Sequence, residues 1–158
     1  MKADIRQFVN DGRPVYAECG GLMYLCRDIT YKGATRPMVG ALPASAVMQS
    51  RPVGRGYVRL RETNQHPWPQ AGASEERELA VHEFHYSRLE NLGDDVEFAY
   101  DVVRGAGIRD GMDGLIYKNT LATYSHHRNV GDNRWVERFV RHADQFRSNR
   151  NAARKRAL

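Results

Sequence analysis

Cys19 follows a short apolar run with β-favouring residues, Pro14-Val15-Tyr16-Ala17-Glu18, and precedes Gly20-Gly21 and the apolar segment Leu22-Met23-Tyr24-Leu25. A cysteine between a strand and a helix, backed by two glycines, suits a sharp turn that pushes Sγ outward as a nucleophile. The helix N-terminus behind it would favour thiolate over thiol. The N–H of Gly20, the residue after the nucleophile, would supply one oxyanion donor. This is the pattern of acyl transfer on sulfur. A buried cysteine in a purely structural strand-Gly-Gly-helix junction gives the same local sequence. The other polar residues of the chain therefore have to decide between the two.

Two histidine groups bear on that choice. His126 lies in Tyr124-Ser125-His126-His127-Arg128, directly after the short strand-like run Leu121-Ala122-Thr123. A histidine at a strand end can meet Cys19 across a parallel sheet, take the thiol proton and return it to a leaving amine. The other group is His82-Glu83-Phe84-His85-Tyr86-Ser87. As a strand it would put His82, Phe84 and Tyr86 on one face and Glu83 and His85 on the other. That alternation separates the two histidines and is not the His-Glu-x-x-His spacing of a helical zinc site, so no metal ligands are assigned. The segment reads either as a polar strand end held by hydrogen bonds or as a strand facing substrate or partner.

The elements around these residues alternate in an α/β manner. Residues 3–10 predict a short amphipathic helix ended by Asp11-Gly12, residues 14–19 a buried strand and 20–28 a helix. Val39 to Pro43 opens a strand region, and Val53 to Arg61 alternates as a strand whose glycines at 54 and 56 suggest a bulge. Asn64 to Glu76, with Pro67, Pro69 and Gly72, reads as a surface loop. Strands are expected over Leu79–Tyr86 and Val96–Val103, parted by a polar turn at Asn91-Leu92-Gly93-Asp94. Gly105 to Gly114 reads as a glycine-rich connection, and two short strands flank Lys118-Asn119. Asp132 is placed as the cap of a last helix carrying Trp135, Val136, Phe139 and Val140 on its apolar side. With no internal repeat or linker, residues 1–146 form one domain and 147–158 a basic tail.

Composition narrows the function classes. The chain has 158 residues, enough for one real core, and no apolar run long enough to span a membrane or serve as a signal peptide. Cys19 and Cys26 lie seven apart, which is neither a Cys-x-x-Cys metal spacing nor a disulfide framework, so a reducing cytoplasm is expected. The net charge of +5 sits largely in the tail, at Arg147, Arg150, Arg154, Lys155 and Arg156, without interleaved aromatics. Nucleic-acid and membrane partners are not expected from such a distribution.

Taken together, Ala17-Glu18-Cys19-Gly20-Gly21-Leu22-Met23-Tyr24-Leu25, His82-Glu83-Phe84-His85-Tyr86-Ser87 and Tyr117-Lys118-Asn119 leading to Ala122-Thr123-Tyr124-Ser125-His126 resemble the glutamine amidotransferase domain of the cobyrinic acid a,c-diamide synthase family. Gly40-Ala41-Leu42-Pro43 and Gly56-Tyr57 add to the likeness, and siroheme-amidating proteins share that family. The resemblance implies a class I glutaminase with a flavodoxin-like α/β fold. Cys19 would attack the side-chain amide of glutamine, His126 would act as base and then acid, and Gly20 would stabilise the oxyanion. Glu18, His82, His85 and Tyr86 would face substrate or an interface. The ammonia would amidate a tetrapyrrole carboxylate activated by ATP and Mg²⁺ on a separate synthetase domain or subunit, with no cofactor on this chain.

Departures from the family pattern matter as well. Only eighteen residues precede Cys19, where this class carries earlier strands and a glycine-rich loop with a second oxyanion donor. The chain is thus expected to lack the first strands of its fold, and its open sheet edge to be covered by a second copy or a partner chain. Where many class I enzymes have His-x-Glu, this chain has His126-His127-Arg128. Glu83 is the candidate for the missing third carboxylate, and a Cys19–His126 dyad is the simpler alternative. Besides the glutaminase, two other readings remain: a catalytically silent binding or structural subunit, and a stand-alone cysteine hydrolase or redox protein.

Overall fold

The computed structural model describes residues 1–70, 77–93, 96–131 and 133–156. Helix α1 (Lys2–Asn10) buries Val9 and ends where expected, with Gly12 at a φ of 68° that only glycine adopts readily. Strand β1 (Val15–Glu18) runs through Cys19 into helix α2 (Gly20–Leu25). That helix stops three residues short of the expected Asp28, because Cys26 is extended (φ −59°, ψ 169°) and Asp28 already opens β2 (Asp28–Tyr31). Lys32-Gly33, at φ of 48° and 74°, turn β2 into β3 (Ala34–Pro37), a hairpin that strand patterning did not reveal because nearly all its side chains are polar or exposed.

The chain continues through β4 (Ser45–Met48), β5 (Gly54–Glu62), β6 (Glu78–His85), β7 (Ser87–Glu90), β8 (Glu97–Arg104), β9 (Met112–Tyr117), β10 (Thr120–Thr123) and α3 (Trp135–Arg156). The strand region expected to open at 39–43 is irregular over those residues, and its strand, β4, begins at Ser45. The irregularity in β5 falls between Arg59 and Leu60, where its pairing with β8 shifts, and not at Gly54 or Gly56. His66 and Trp68 are buried under α3, so the described part of the 64–76 segment is partly core and not a plain surface loop. Helix α3 runs unbroken through the boundary drawn at residue 147. The cap assigned to Asp132 lies outside the described residues.

Six strands form a sheet in the order β1-β10-β9-β8-β5-β6, and four form a second in the order β3-β2-β4-β7. One of the chain's crossings between the two sheets falls at Tyr86, between β6 and β7. β1 and β10 are parallel, with Glu18 opposite Thr123, and β1 has no second neighbour among the described residues. The large sheet curls until its far edge returns to the carboxyl end of β10. There the N–H of His126 donates to the carbonyl of His82 at 2.7 Å, and the N–H of His82 donates back at 3.3 Å. One apolar core, including Val9, Leu22, Leu25, Leu42, Leu115 and Tyr124, fills the space between the sheets and α2. A second, with Val58, Leu60, Trp68, Tyr100 and Leu121, lies on the side that Phe139 of α3 covers.

Candidate active site

Cys19 adopts φ 46° and ψ −100°, a strained conformation for a residue with a side chain. The strain is held from both sides. Its N–H donates to the carbonyl of Thr123 at 2.7 Å, extending the β1–β10 ladder, and its own carbonyl accepts the N–H of Met23 at 3.1 Å to start α2. The half-buried thiol points toward the backbone of β6, with Sγ 3.9 Å from the carbonyl of Phe84. Burial pushes the thiol pKa up, the Gly20 N–H pulls it down, and the negative charge of Glu18 adds to the upward push. The resting sulfur is therefore a thiol, where the sequence led us to expect a lowered pKa. A six-residue helix with one N–H on the sulfur does not outweigh desolvation.

His126 follows β10 by three residues, and its side chain is 44% exposed. It lines a cavity of about 420 Å³ with Tyr57, Ala80, Val81, His82 and Arg128. His127 points the opposite way, as strand alternation requires. It is buried against Tyr100 and Tyr16, and neither ring nitrogen has a hydrogen-bond partner. Burial brings its pKa down to about 4, so the ring is neutral.

The carboxylate beside His126 is that of Glu18, with Oε2 3.4 Å from Nδ1. Its other oxygen accepts the Tyr16 hydroxyl at 2.6 Å and the His127 N–H at 2.9 Å. Glu83, the sequence candidate for that place, faces the other side of β6. It is buried, accepts the N–H groups of Ala106 at 2.7 Å and Gly107 at 3.2 Å, and lies 3.6 Å from Nε2 of His85. Burial alone would push its carboxyl up, but the His85 contact and the two N–H bonds bring it below the usual value. Gly54 is needed at this point, since a Cβ there would meet the Glu83 carboxyl at 2.7 Å and collide with the His85 ring.

Of the residues assigned to a substrate or interface surface, His82 is exposed on the cavity with His126. His85 is corrected: it is buried, stacked on Tyr124 at 3.7 Å and bonded through Nδ1 to the carbonyl of Ser87 at 3.0 Å. Tyr86 is half-buried and borders a different groove, with Tyr31, Met48 and Gln49. The sequence reading missed Asp113 entirely. This fully buried carboxylate accepts the N–H groups of Gly114, Tyr124 and Ser125 and the Thr123 hydroxyl, and so fixes the turn leading to His126. An aspartate inside the apolar run Met112-Asp113-Gly114-Leu115-Ile116 was the available signal.

Residues 1–133 match the CobB/CobQ-like glutamine amidotransferase domain. The chain belongs to that family. The match encloses Cys19, the His82–Ser87 segment and His126, and ends before α3. Curated relatives include a cobyrinate a,c-diamide synthase of Magnetococcus marinus, 40% identical over 138 residues, covering 85% of this chain and 29% of that protein. Another, of Methanosarcina barkeri, is 37% identical over 164 residues, covering 95% and 32%. The chain thus spans about a third of the length of these relatives.

Solved structures agree on the fold. A glutamine amidotransferase crystal structure superposes with a TM-score of 0.59 at 19% identity, covering 90% of this chain and 68% of that one. The PurLQS structure from Thermotoga maritima gives 0.62 at 13%, covering 92% and 67%. The fold is that of a class I glutamine amidotransferase domain. Among the described residues no helix is long and apolar enough to cross a membrane.

Proposed function

We propose that this domain hydrolyses glutamine through Cys19 and His126. The observation that carries the reading is the pairing of β1 with β10 in parallel, which brings a strained cysteine turn and a histidine to the same carboxyl end of the sheet. His126 takes the Sγ proton as sulfur attacks the amide carbon of glutamine, and the Gly20 N–H donates to the oxyanion. Collapse of the tetrahedral adduct breaks the C–N bond. His126 returns its proton to the nitrogen, ammonia leaves, and a γ-glutamyl thioester remains. Water, deprotonated by His126, then releases glutamate and restores the thiol. The raised thiol pKa fits general-base activation during attack better than a pre-formed thiolate–imidazolium pair.

The ammonia, in this proposal, amidates a corrinoid-type tetrapyrrole carboxylate, a reading supported by relatives named cobyrinate a,c-diamide synthase. ATP and Mg²⁺ would act on a separate synthetase domain. The chain has no Gly-x-x-x-x-Gly-Lys-Ser/Thr segment, and among the described residues no three His, Cys, Asp or Glu side chains stand together to hold a metal ion.

Ammonia release from glutamine tests the reading. Cys19→Ala and His126→Ala should each abolish it, and the double variant should lose no more than either single one, because both residues act on one proton. Full turnover in Cys19→Ala would refute it.

A further inference from the structure

We propose that Glu18, the residue immediately before the nucleophile, is the carboxylate that orients His126. The inference rests on the glutaminase reading above. Alternation along β1 puts Tyr16 and Glu18 on one face, while Cys19 leaves the strand at the strained turn. Oε1 of Glu18 is fixed from two sides, by the Tyr16 hydroxyl at 2.6 Å and the His127 N–H at 2.9 Å. That anchoring leaves Oε2 at Nδ1 of His126, 3.4 Å away.

The anchor itself cannot swing freely. The Tyr16 ring packs on Trp135 at 4.3 Å between centroids, with Trp68 and Phe139 around it. Burial pushes its hydroxyl pKa far above the usual range, so it stays a donor.

A carboxylate at Nδ1 keeps the neutral ring's proton on that nitrogen and leaves Nε2 free to accept the thiol proton. It also stabilises the imidazolium that forms as sulfur attacks. The groups facing His126 are Glu18 from β1, Tyr57 from β5, His82 from β6, and Arg128 from its own segment. Glu18 alone among these carries negative charge. Glu83 cannot share the task, because its oxygens are engaged by Ala106, Gly107 and His85 on the buried side of β6. Distances slightly longer than a hydrogen bond are common at catalytic pairs without substrate and shorten when it binds. Glu18 is thus a positioning residue acting through His126.

The test follows the ¹⁵N imidazole signals of His126 across pH in the full 158-residue chain, alongside glutamine turnover. In the wild type, neutral His126 should carry its proton on Nδ1. Glu18→Gln keeps an acceptor for Tyr16 and His127 but turns a donor toward the ring. It should move the proton to Nε2 and reduce kcat by about tenfold or more with little change in KM. Unchanged His126 signals in Glu18→Gln would overturn the assignment. Should that variant not fold, Tyr16→Phe releases the anchor alone and must shift the same signals, and unchanged signals overturn the proposal equally. Turnover that survives Cys19→Ala would instead sink the glutaminase reading, while the imidazole signals would still report on Glu18.

Discussion

Oδ2 of Asp113 lies 3.0 Å from the N–H of Ser125, the residue just before His126. The same carboxylate takes three more donors, from Gly114, Thr123 and Tyr124, all in a fully buried setting. Asp113 is therefore the fixed point around which the end of β10 is built. Thr123, whose side chain it holds, also accepts the Cys19 N–H through its carbonyl. One buried group thus braces both halves of the proposed site.

Replacing it should be costly. Asp113→Ala leaves several buried donors without acceptors, at about 1–3 kcal/mol each in such settings. Loss of about 3–5 kcal/mol on chemical denaturation is expected, with glutamine turnover falling even where the variant remains folded. A variant of wild-type stability would contradict this account of the turn.

Gly54→Ala should fail for a different reason. Its new methyl would press on the Glu83–His85 pair, and overpacking of this kind costs about 1–3 kcal/mol. Gly93→Ala, where nothing lies within 4 Å, serves as the control and should fall within about 0.5 kcal/mol of wild type. Thermal melts of the two variants side by side make the comparison.

Stability should fall in mild acid because of His127. Burial lowers its folded pKa to about 4, against about 6.5 in the unfolded chain, so the unfolded chain binds the proton more readily between those values. The stabilising difference is complete above the unfolded value and is lost as pH drops through that window toward 4. His66, pushed down to about 3 by burial, acts in the same direction. His127→Phe should flatten the pH dependence of unfolding between pH 6.5 and 4 by an amount of order 3 kcal/mol. An unaltered slope would mean that the ring is not held neutral in the folded state.

Thiol labelling should separate the two cysteines. Cys26 is fully buried, with burial pushing its pKa up to about 12, so it should resist alkylation while the protein is folded. Cys19 should react with a simple alkylator, slowly at neutral pH and faster as pH rises past the ordinary thiol range. Mass mapping that finds Cys26 modified ahead of Cys19 would count against this ordering.

The parts of the fold that were legible in the sequence are those where burial imposes a pattern. Alternation in β5 and β6 follows from one face being buried, and the Cys19-Gly20-Gly21 turn from residue types that suit a sharp strand-to-helix junction. The β2–β3 hairpin and β7 were invisible because four-residue strands with mixed side chains, most of them polar, carry no such pattern. Glu83 was the sequence candidate for the third carboxylate. Alternation sets Glu83 on the face opposite His82, but which face of β6 is buried and how the sheet curls cannot be read from spacing. Glu18 was noticed as a site residue, yet its contact with His126 exists only through the register of β1 on β10. The expected low thiol pKa failed because the length of α2 and the burial of Cys19 are tertiary facts.

The most direct measurement of the central claim is covalent capture of the glutaminase intermediate. The full chain is incubated with a diazo-ketone analogue of glutamine and its adduct is mapped by mass spectrometry. The account predicts a single adduct on Cys19, formed in competition with glutamine and strongly slowed in His126→Ala but not in His127→Ala. Modification elsewhere, or labelling of Cys19 that ignores both glutamine and His126, would contradict it.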